Sequence, residues 1–257
     1  MTRTTRGFFT ASAISLGVAL SGLISTTVQA ASINYGNFGP VAPGIVFQQV
    51  TESSATDPTP LFGRPTAFSA GLDFDPLSFA ATSAGGGADI TDGQLNFTVA
   101  TGMKGVDAIS LFEAGDYTLA GIGAQATSVF AGASIRATVT EVDNVPVAPF
   151  NLTTVNGSFG ESLPGTVIVQ PWSLGLVLNV DAQMAGLGFP PTSVATKLEV
   201  VIDNVLVAIS EPGSAAFIAK KEFIIDIVSL DVVPEPGTFA LAGLAMCGLG
   251  LAACKRA

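Results

Sequence analysis

From about Ala31 to Val233 the chain is a succession of short apolar stretches, alternating or continuous, punctuated by Gly, Pro and Asx. Gly44–Val50, Gln94–Ala100, Tyr117–Ala120, Ser134–Val142, Val167–Gln170 and Trp172–Val180 read as strands, because period-two or unbroken apolarity over a short run suits a sheet with one buried face. No window carries a capped apolar stripe of helical period. Strands recurring at short spacing without helices between them predict an all-β chain. The expected form is an antiparallel β-sandwich or jelly-roll-like single domain.

The punctuation predicts the connections. Glu113-Ala-Gly-Asp116 reads as a four-residue turn joining Asp107–Phe112 to Tyr117–Ala120, with Gly115 relieving a positive φ. Glu211-Pro-Gly-Ser214 reads as a second hairpin turn between Ser193–Ser210 and Ala215–Val233, and Pro-Gly suits the centre of a type II turn. Thr51–Pro60 reads as a surface loop and Gly85-Gly86-Gly87 as a flexible turn. There is no repeat of fixed period and no interdomain linker in this stretch.

The two ends follow other rules. Arg3 and Arg6 form a basic start, Gly7 to Val28 is uncharged, and Val28-Gln29-Ala30 supplies small residues before a cleavage point. That order predicts a helical secretory signal peptide over 1–30, cut between Ala30 and Ala31 by signal peptidase. At the other end Thr238 to Cys254 is uncharged over 17 residues. As a helix it spans about 25 Å, just short of a bilayer core of about 30 Å. Lys255 and Arg256 follow at once and hold that end in the cytoplasm by the positive-inside rule, leaving the body on the exported side.

Composition narrows what the body between them can be. Hydrophobic residues make up 48% and charged residues 12%, which is globular and core-rich. Six Lys or Arg face nineteen Asp or Glu over residues 31–233. So acidic a surface repels phosphate backbones, and nucleic-acid binding is excluded. Cys247 and Cys254 both lie in the tail, so no internal disulfide holds the body together.

Catalytic chemistry is thinned by elimination. The chain has no His, which removes imidazole bases, His-based triads and HExxH zinc sites. A carboxylate pair, such as Asp73 and Asp75, is the one catalytic arrangement left open. Gly121-Ile-Gly123-Ala-Gln-Ala126 fits a loose dinucleotide pattern, but no helix is expected after it to receive phosphate. Asp89-Ile-Thr-Asp92-Gly93 and Asp73-Phe-Asp75 place oxygen ligands in loops, as calcium requires, but neither fits the twelve-residue EF-hand loop and ordinary Asx turns account for them better. No metal or cofactor is expected. Trp172 follows Pro171, which places it at an edge or in a loop as a candidate binding hot spot. Asn96, Asn151 and Asn156 head triplets of the glycosylation-acceptor type.

Val233-Pro-Glu-Pro-Gly-Thr238, the small-residue helix after it and the terminal Lys255-Arg256 resemble, in that order, the PEP-CTERM sorting signal. The resemblance implies recognition by exosortase, a multipass membrane enzyme that removes the tail and releases or attaches the body outside, in bacteria that make exopolysaccharide. Pro234, Glu235 and Pro236 would then be the recognition motif. The expected organisation is a signal peptide over 1–30, an exported β-rich domain over 31–233 and a sorting signal over 234–257 with its transmembrane helix at 238–254. The body is expected to be transiently anchored in the inner membrane and then to reach the cell surface or the matrix. A non-enzymatic structural protein of the extracellular polysaccharide matrix is the leading reading. A carbohydrate-binding adhesive module, with exopolysaccharide as the partner, and a carboxylate-pair glycosidase are its alternatives. Exposed aromatics around Trp172 would favour binding, and two carboxyls about 5–9 Å apart in a cleft would favour the glycosidase.

Overall fold

Alternation of inward and outward side chains produces thirteen strands and one short helix among the residues described in the computed structural model, which are 31–229 apart from 42–43, 103, 123–125 and 164–166. They are β1 (Ala31–Val41), β2 (Ile45–Ser54), β3 (Thr66–Phe68), β4 (Gly71–Phe74), β5 (Ala80–Ala84), β6 (Gly87–Ala100) and β7 (Ala108–Gly121). Then follow β8 (Ser128–Val142), β9 (Val145–Asn151), β10 (Val155–Ser162), β11 (Val167–Asn179), α1 (Val180–Gly186), β12 (Ala195–Ser210) and β13 (Ser214–Val228). The expected signal helix, the expected membrane helix, Ala30 and the Pro234-Glu-Pro236 motif lie outside the described residues. Among those described, no helix is long and apolar enough to cross a membrane.

The strands form two antiparallel sheets. The larger runs β1-β2-β6-β12-β8-β10, with β9 also paired to β8. The smaller runs β11-β7-β13-β4-β3, with β5 also on β13. Phe47, Leu95, Val99, Ile135, Leu198 and Ile202 point inward from the first sheet, and Leu72, Phe74, Ile109, Leu119, Ile218 and Phe223 from the second. All share one buried cluster, so the predicted sandwich-like class holds. Phe62 is its aromatic hub, with ring centroids 4.9 Å from both Phe79 and Phe223 and 6.1 Å from Phe74. Each such side chain, fully buried, contributes about 1.5–3 kcal/mol.

Several connections differ from expectation. Glu113–Asp116 is not a turn: β7 runs through it as one strand paired on both sides, with β11 and β13. Gly115 serves another purpose there. A Cβ on it would lie 1.9 Å from the Ala219 carbonyl oxygen and 2.9 Å from Trp172 Nε1, so glycine permits the close approach of two neighbours. Glu211–Ser214 does turn as expected, with Gly213 at φ 82 and Ser214 N donating to Glu211 O at 3.1 Å, the geometry of a type II turn. The strands it joins are not a hairpin, however, because β12 belongs to the larger sheet and β13 to the smaller. Thr51–Ser54 is the end of β2, and the predicted loop starts only at Ala55. The helix α1 was not expected; Asn179 caps it by accepting from Ala182 N at 2.8 Å.

Candidate functional site

The outward face of the larger sheet carries a ladder of polar side chains. Asp203 on β12 stands opposite Gln94 on β6 and Ser134 on β8, because even positions of β6 and β8 and odd positions of β12 face outward in this register. Gln94 Nε2 donates to Asp203 Oδ1 at 2.5 Å, Arg136 to Asp203 Oδ2 at 2.6 Å and Ser134 Oγ to the same oxygen at 3.4 Å. Asn96 Nδ2 donates to Gln94 Oε1 at 3.0 Å. A groove of about 420 Å³ adjoins this row, lined among others by Gln94, Phe130, Gly132, Ser134 and Asp203. Phe130 is 41% exposed and lies across Gly132, whose Cβ, if present, would be 2.9 Å from the ring. The glycine thus leaves room for a half-exposed aromatic ring beside hydrogen-bonding groups. Chemically the groove offers amides, a hydroxyl and a paired carboxylate with one apolar ring, a set that suits neutral polyhydroxyl ligands.

The residues singled out in the sequence are distributed otherwise. Trp172 sits on the edge strand β11, as Pro171 suggested, but it is 3% exposed: it packs inward and donates through Nε1 to Ala219 O at 3.0 Å. Its expected place as an exposed hot spot is therefore corrected. The apolar surface of an indole is best removed from water, and an inward-facing position of β11 with the Ala219 carbonyl in reach satisfies both ring and N–H. Asp73, near the end of β4, and Asp75, just past it, line one shallow depression with Lys221 and Glu222. The Asp92 carboxylate is taken up by the turn after β2, accepting from Thr56 Oγ1 at 2.6 Å, Thr56 N at 2.7 Å, Ala55 N at 3.0 Å and Ser54 Oγ at 3.1 Å. Burial alone would raise its pKa, but these hydrogen bonds, those from Thr56 foremost, hold it below the ordinary carboxylate value. Asp89 accepts from Thr82 N at 2.7 Å. Among the described residues no group of three or more His, Cys, Asp or Glu comes together to hold a metal ion. Gly121 closes β7, and β8 follows at Ser128, so the loose glycine pattern lies between strands. Asn96, Asn151 and Asn156 fall on β6, β9 and β10.

Sequence reasoning missed the buried polar groups. Glu52 is fully buried, accepting from Tyr35 Oη at 2.6 Å, Phe62 N at 3.2 Å, Gly63 N at 3.3 Å and also Leu61 N. Glu113, Asn204 and Lys220 meet between the sheets. Their only sequence signal is polarity at positions where an alternating strand puts apolar residues, Asn204 in the row Leu198, Val200, Ile202, Leu206 being the clearest.

No curated protein matches the chain in sequence. Solved structures overlap it weakly. A carbohydrate-binding module, TmCBM61, in complex with beta-1,4-galactotriose shares 10% identity over 69% of this chain and 82% of that one, with a TM-score of 0.17. A mutant VP2 protein of infectious bursal disease virus shares 12% over 72% and 41%, with a TM-score of 0.23. The family 11 xylanase from Neocallimastix patriciarum shares 9% over 79% and 100%, with a TM-score of 0.21. Overlaps of this size carry no argument about activity. The tail is different: its last residues match a family signal in order and in place. Residues 232–256 are a PEP-CTERM protein-sorting motif, which implies an exported protein sorted by exosortase.

Proposed function

We propose that this protein, once exported and processed by exosortase, is a non-enzymatic structural protein of the extracellular polysaccharide matrix. The observation that carries the reading is the sorting motif beginning at residue 232, with only three residues between it and the end of β13 at Val228. The strand nearest the tether is an interior one, paired along its length with β7 and on its other side with β4 and β5. Load on the tail therefore falls on a ladder held from both sides. Signal peptidase would act between Ala30 and Ala31, and exosortase at the Pro234-Glu-Pro236 motif.

The test compares cells with and without a working exosortase. A shortened body at the surface or in the matrix is expected when the enzyme is present, and a longer membrane-bound form when it is absent. Identical length and location in both would overturn the sorting step. Release of sugar from matrix polymer by the purified protein would replace the structural reading with the glycosidase.

A second reading, carbohydrate binding, is favoured by Phe130 lying over Gly132 beside Gln94, Ser134 and Asp203. Retention on a glycan array that falls at least about tenfold in Phe130→Ala, as expected when a stacking ring is lost, would support it.

A further inference from the structure

Three polar side chains meet in the middle of the apolar core, each from a different strand. Glu113 points inward from β7, Lys220 from β13, and Asn204 from β12 of the opposite sheet; they are 0%, 2% and 4% exposed. Lys220 Nζ donates both to Glu113 Oε2 and to Asn204 Oδ1. Glu113 Oε1 and Asn204 Nδ2 have no hydrogen-bond partner. Nζ stands over the rings of Phe79, Phe223 and Phe62, at 4.5, 4.9 and 5.6 Å from their centroids.

Local sequence builds this meeting. The register of β13 against β7 shifts between Lys220 and Glu222, a bulge that leaves Ala219 and Lys220 both facing inward and Lys221 outward. Asn204 pairs with Gly93 on one side and Ala133 on the other, so both its neighbours in the sheet are small. A Cβ on Gly93 would lie 2.6 Å from Phe79 and 2.8 Å from Phe62, so the glycine makes room for the rings that enclose the amine.

As a salt bridge the arrangement is a poor one. It takes two charges out of water and leaves one acceptor and one donor unpaired, each costing free energy in a dry core. The same three groups are the complete set for forming an amide: an amine nucleophile, a carboxamide carbon and a carboxyl to move protons, held in contact with little water.

We infer that Lys220 and Asn204 become joined by an intramolecular isopeptide bond, formed in the folded chain with Glu113 as the catalytic residue. Burial lowers the Lys220 pKa against the opposing pull of Glu113, which favours passing the ammonium proton to the carboxylate. The neutral Nζ then attacks Asn204 Cγ, the carbonyl electron pair moving onto Oδ1. Glu113 relays a second proton from Nζ to Nδ2. The carbonyl re-forms, the Cγ–Nδ2 bond breaks with its electron pair leaving on nitrogen, and ammonia departs. The reactants are an ammonium, a carboxamide and a carboxylate; the products are a secondary amide, ammonia and a neutral carboxylic acid. Hydrogen and charge balance, and nothing is oxidised or reduced. The new amide N–H can donate to one oxygen of Glu113 while the acid proton is donated to the amide oxygen. Of the two unpaired atoms, Asn204 Nδ2 leaves as ammonia and Glu113 Oε1 gains a partner.

The bond ties the two sheets together 16 residues apart in sequence, on the strand that leads to the sorting motif. A body without cysteine gains a covalent tie that reducing agents do not open. This inference stands on the core geometry and is independent of the matrix role.

The test is mass spectrometry of the full chain after denaturation and chymotryptic digestion, since Leu206 and Phe217 lie between the two residues. One branched peptide joining Asn204 to Lys220, lighter by one ammonia than its two arms, is expected. Glu113→Gln and Lys220→Arg, checked as folded by circular dichroism, should give the arms separately. Recovery of Asn204 and Lys220 on separate wild-type peptides overturns the bond, even if the intact mass shows ammonia lost, because a succinimide at Asn204 loses the same mass. A link between Lys220 and Glu113 with loss of water also overturns it. A bond that forms undiminished in folded Glu113→Gln overturns the role of Glu113.

Discussion

Trp172 and Phe159 lie nearly parallel, with ring centroids 5.8 Å apart and an interplanar angle of 23°, one ring from each sheet. Tyr117 packs on the same Phe159 at 5.5 Å, so three rings close the sandwich along β10 and β11. The one Trp of the chain is therefore a structural clasp. Trp172→Ala should cost about 3–5 kcal/mol, the range for truncating a buried aromatic. Urea denaturation followed by circular dichroism measures it, and a loss under about 1 kcal/mol, the level of a surface substitution, would contradict the burial.

Gly115 bears on the same clasp. Its missing Cβ is the space into which the Ala219 carbonyl and the Trp172 indole fit. Gly115→Ala should displace that carbonyl and weaken the Nε1 hydrogen bond, at a cost of about 1–3 kcal/mol from overpacking. Trp172 reports on it directly: its emission should shift to longer wavelength and its unfolding midpoint should fall. An unchanged midpoint would mean that β7 and β13 can separate without penalty.

That glycine also shows where a sequence misleads. Period-two apolarity fixes which side of a strand is buried, and it correctly placed β2, β6, β8 and the run to Ser210. A Gly between Glu113 and Asp116 reads as a turn because turns and close approaches need glycine equally, and only the neighbours across the sheet decide between them. In the same way Pro212-Gly213 fixed a turn type, while the sheet that each flanking strand joins depends on distant partners. Helix α1 is too short for its period to stand out, and its single local signal is the Asn179 cap.

Asp92 carries oxygens of the kind calcium takes, and they are occupied by the turn at Ser54–Thr56. Asp92→Ala would remove the acceptor that ties Ser54, Ala55 and Thr56 to β6, and because the Ala55 and Thr56 N–H groups are exposed to water the cost should be about 0.5–1.5 kcal/mol. A chelator added to the parent should leave its melting temperature in place. A chelator-induced drop of several degrees would return a cation to this region.

Sites proved less legible than folds for a physical reason. The polar outer ladder and the Lys220–Glu113–Asn204 cluster are each assembled from three strands, so no window of sequence contains them. The sorting motif is the opposite case. It is contiguous, residues 232–256, so a single window of sequence contains all of it.

Asp181 provides a pH test. Burial, then its hydrogen bond and charge contact with Asp107, raise its pKa from 3.8 to about 6. In that window the folded state holds a proton that the unfolded chain releases, so this group's contribution to stability is present below 3.8 and is lost as pH rises through 6. The group is only half-buried, and solvent screening keeps the effect under about 1 kcal/mol. Carboxyl-carbon NMR should give Asp181 a midpoint near 6, and Asp107→Asn should bring it down. A midpoint that ignores that substitution would sever the pair.

The last prediction concerns the tail. If Pro234-Glu-Pro236 is what exosortase reads, Glu235→Ala should leave export intact and strand the body on the membrane. The apolar run from Thr238 to Cys254 is untouched by the change, so on this reading it would still insert, and Lys255 and Arg256 would still orient it. What would be lost is the one acid of the motif, between two prolines whose rings restrict φ. Fractionation should show a longer membrane-bound species in place of a shorter one at the surface. The folded body serves as the internal control, since residue 235 lies beyond β13 and its loss should leave the melting temperature alone. If Glu235→Ala partitions and migrates like the parent, the tail is a plain anchor and the protein a membrane-tethered one.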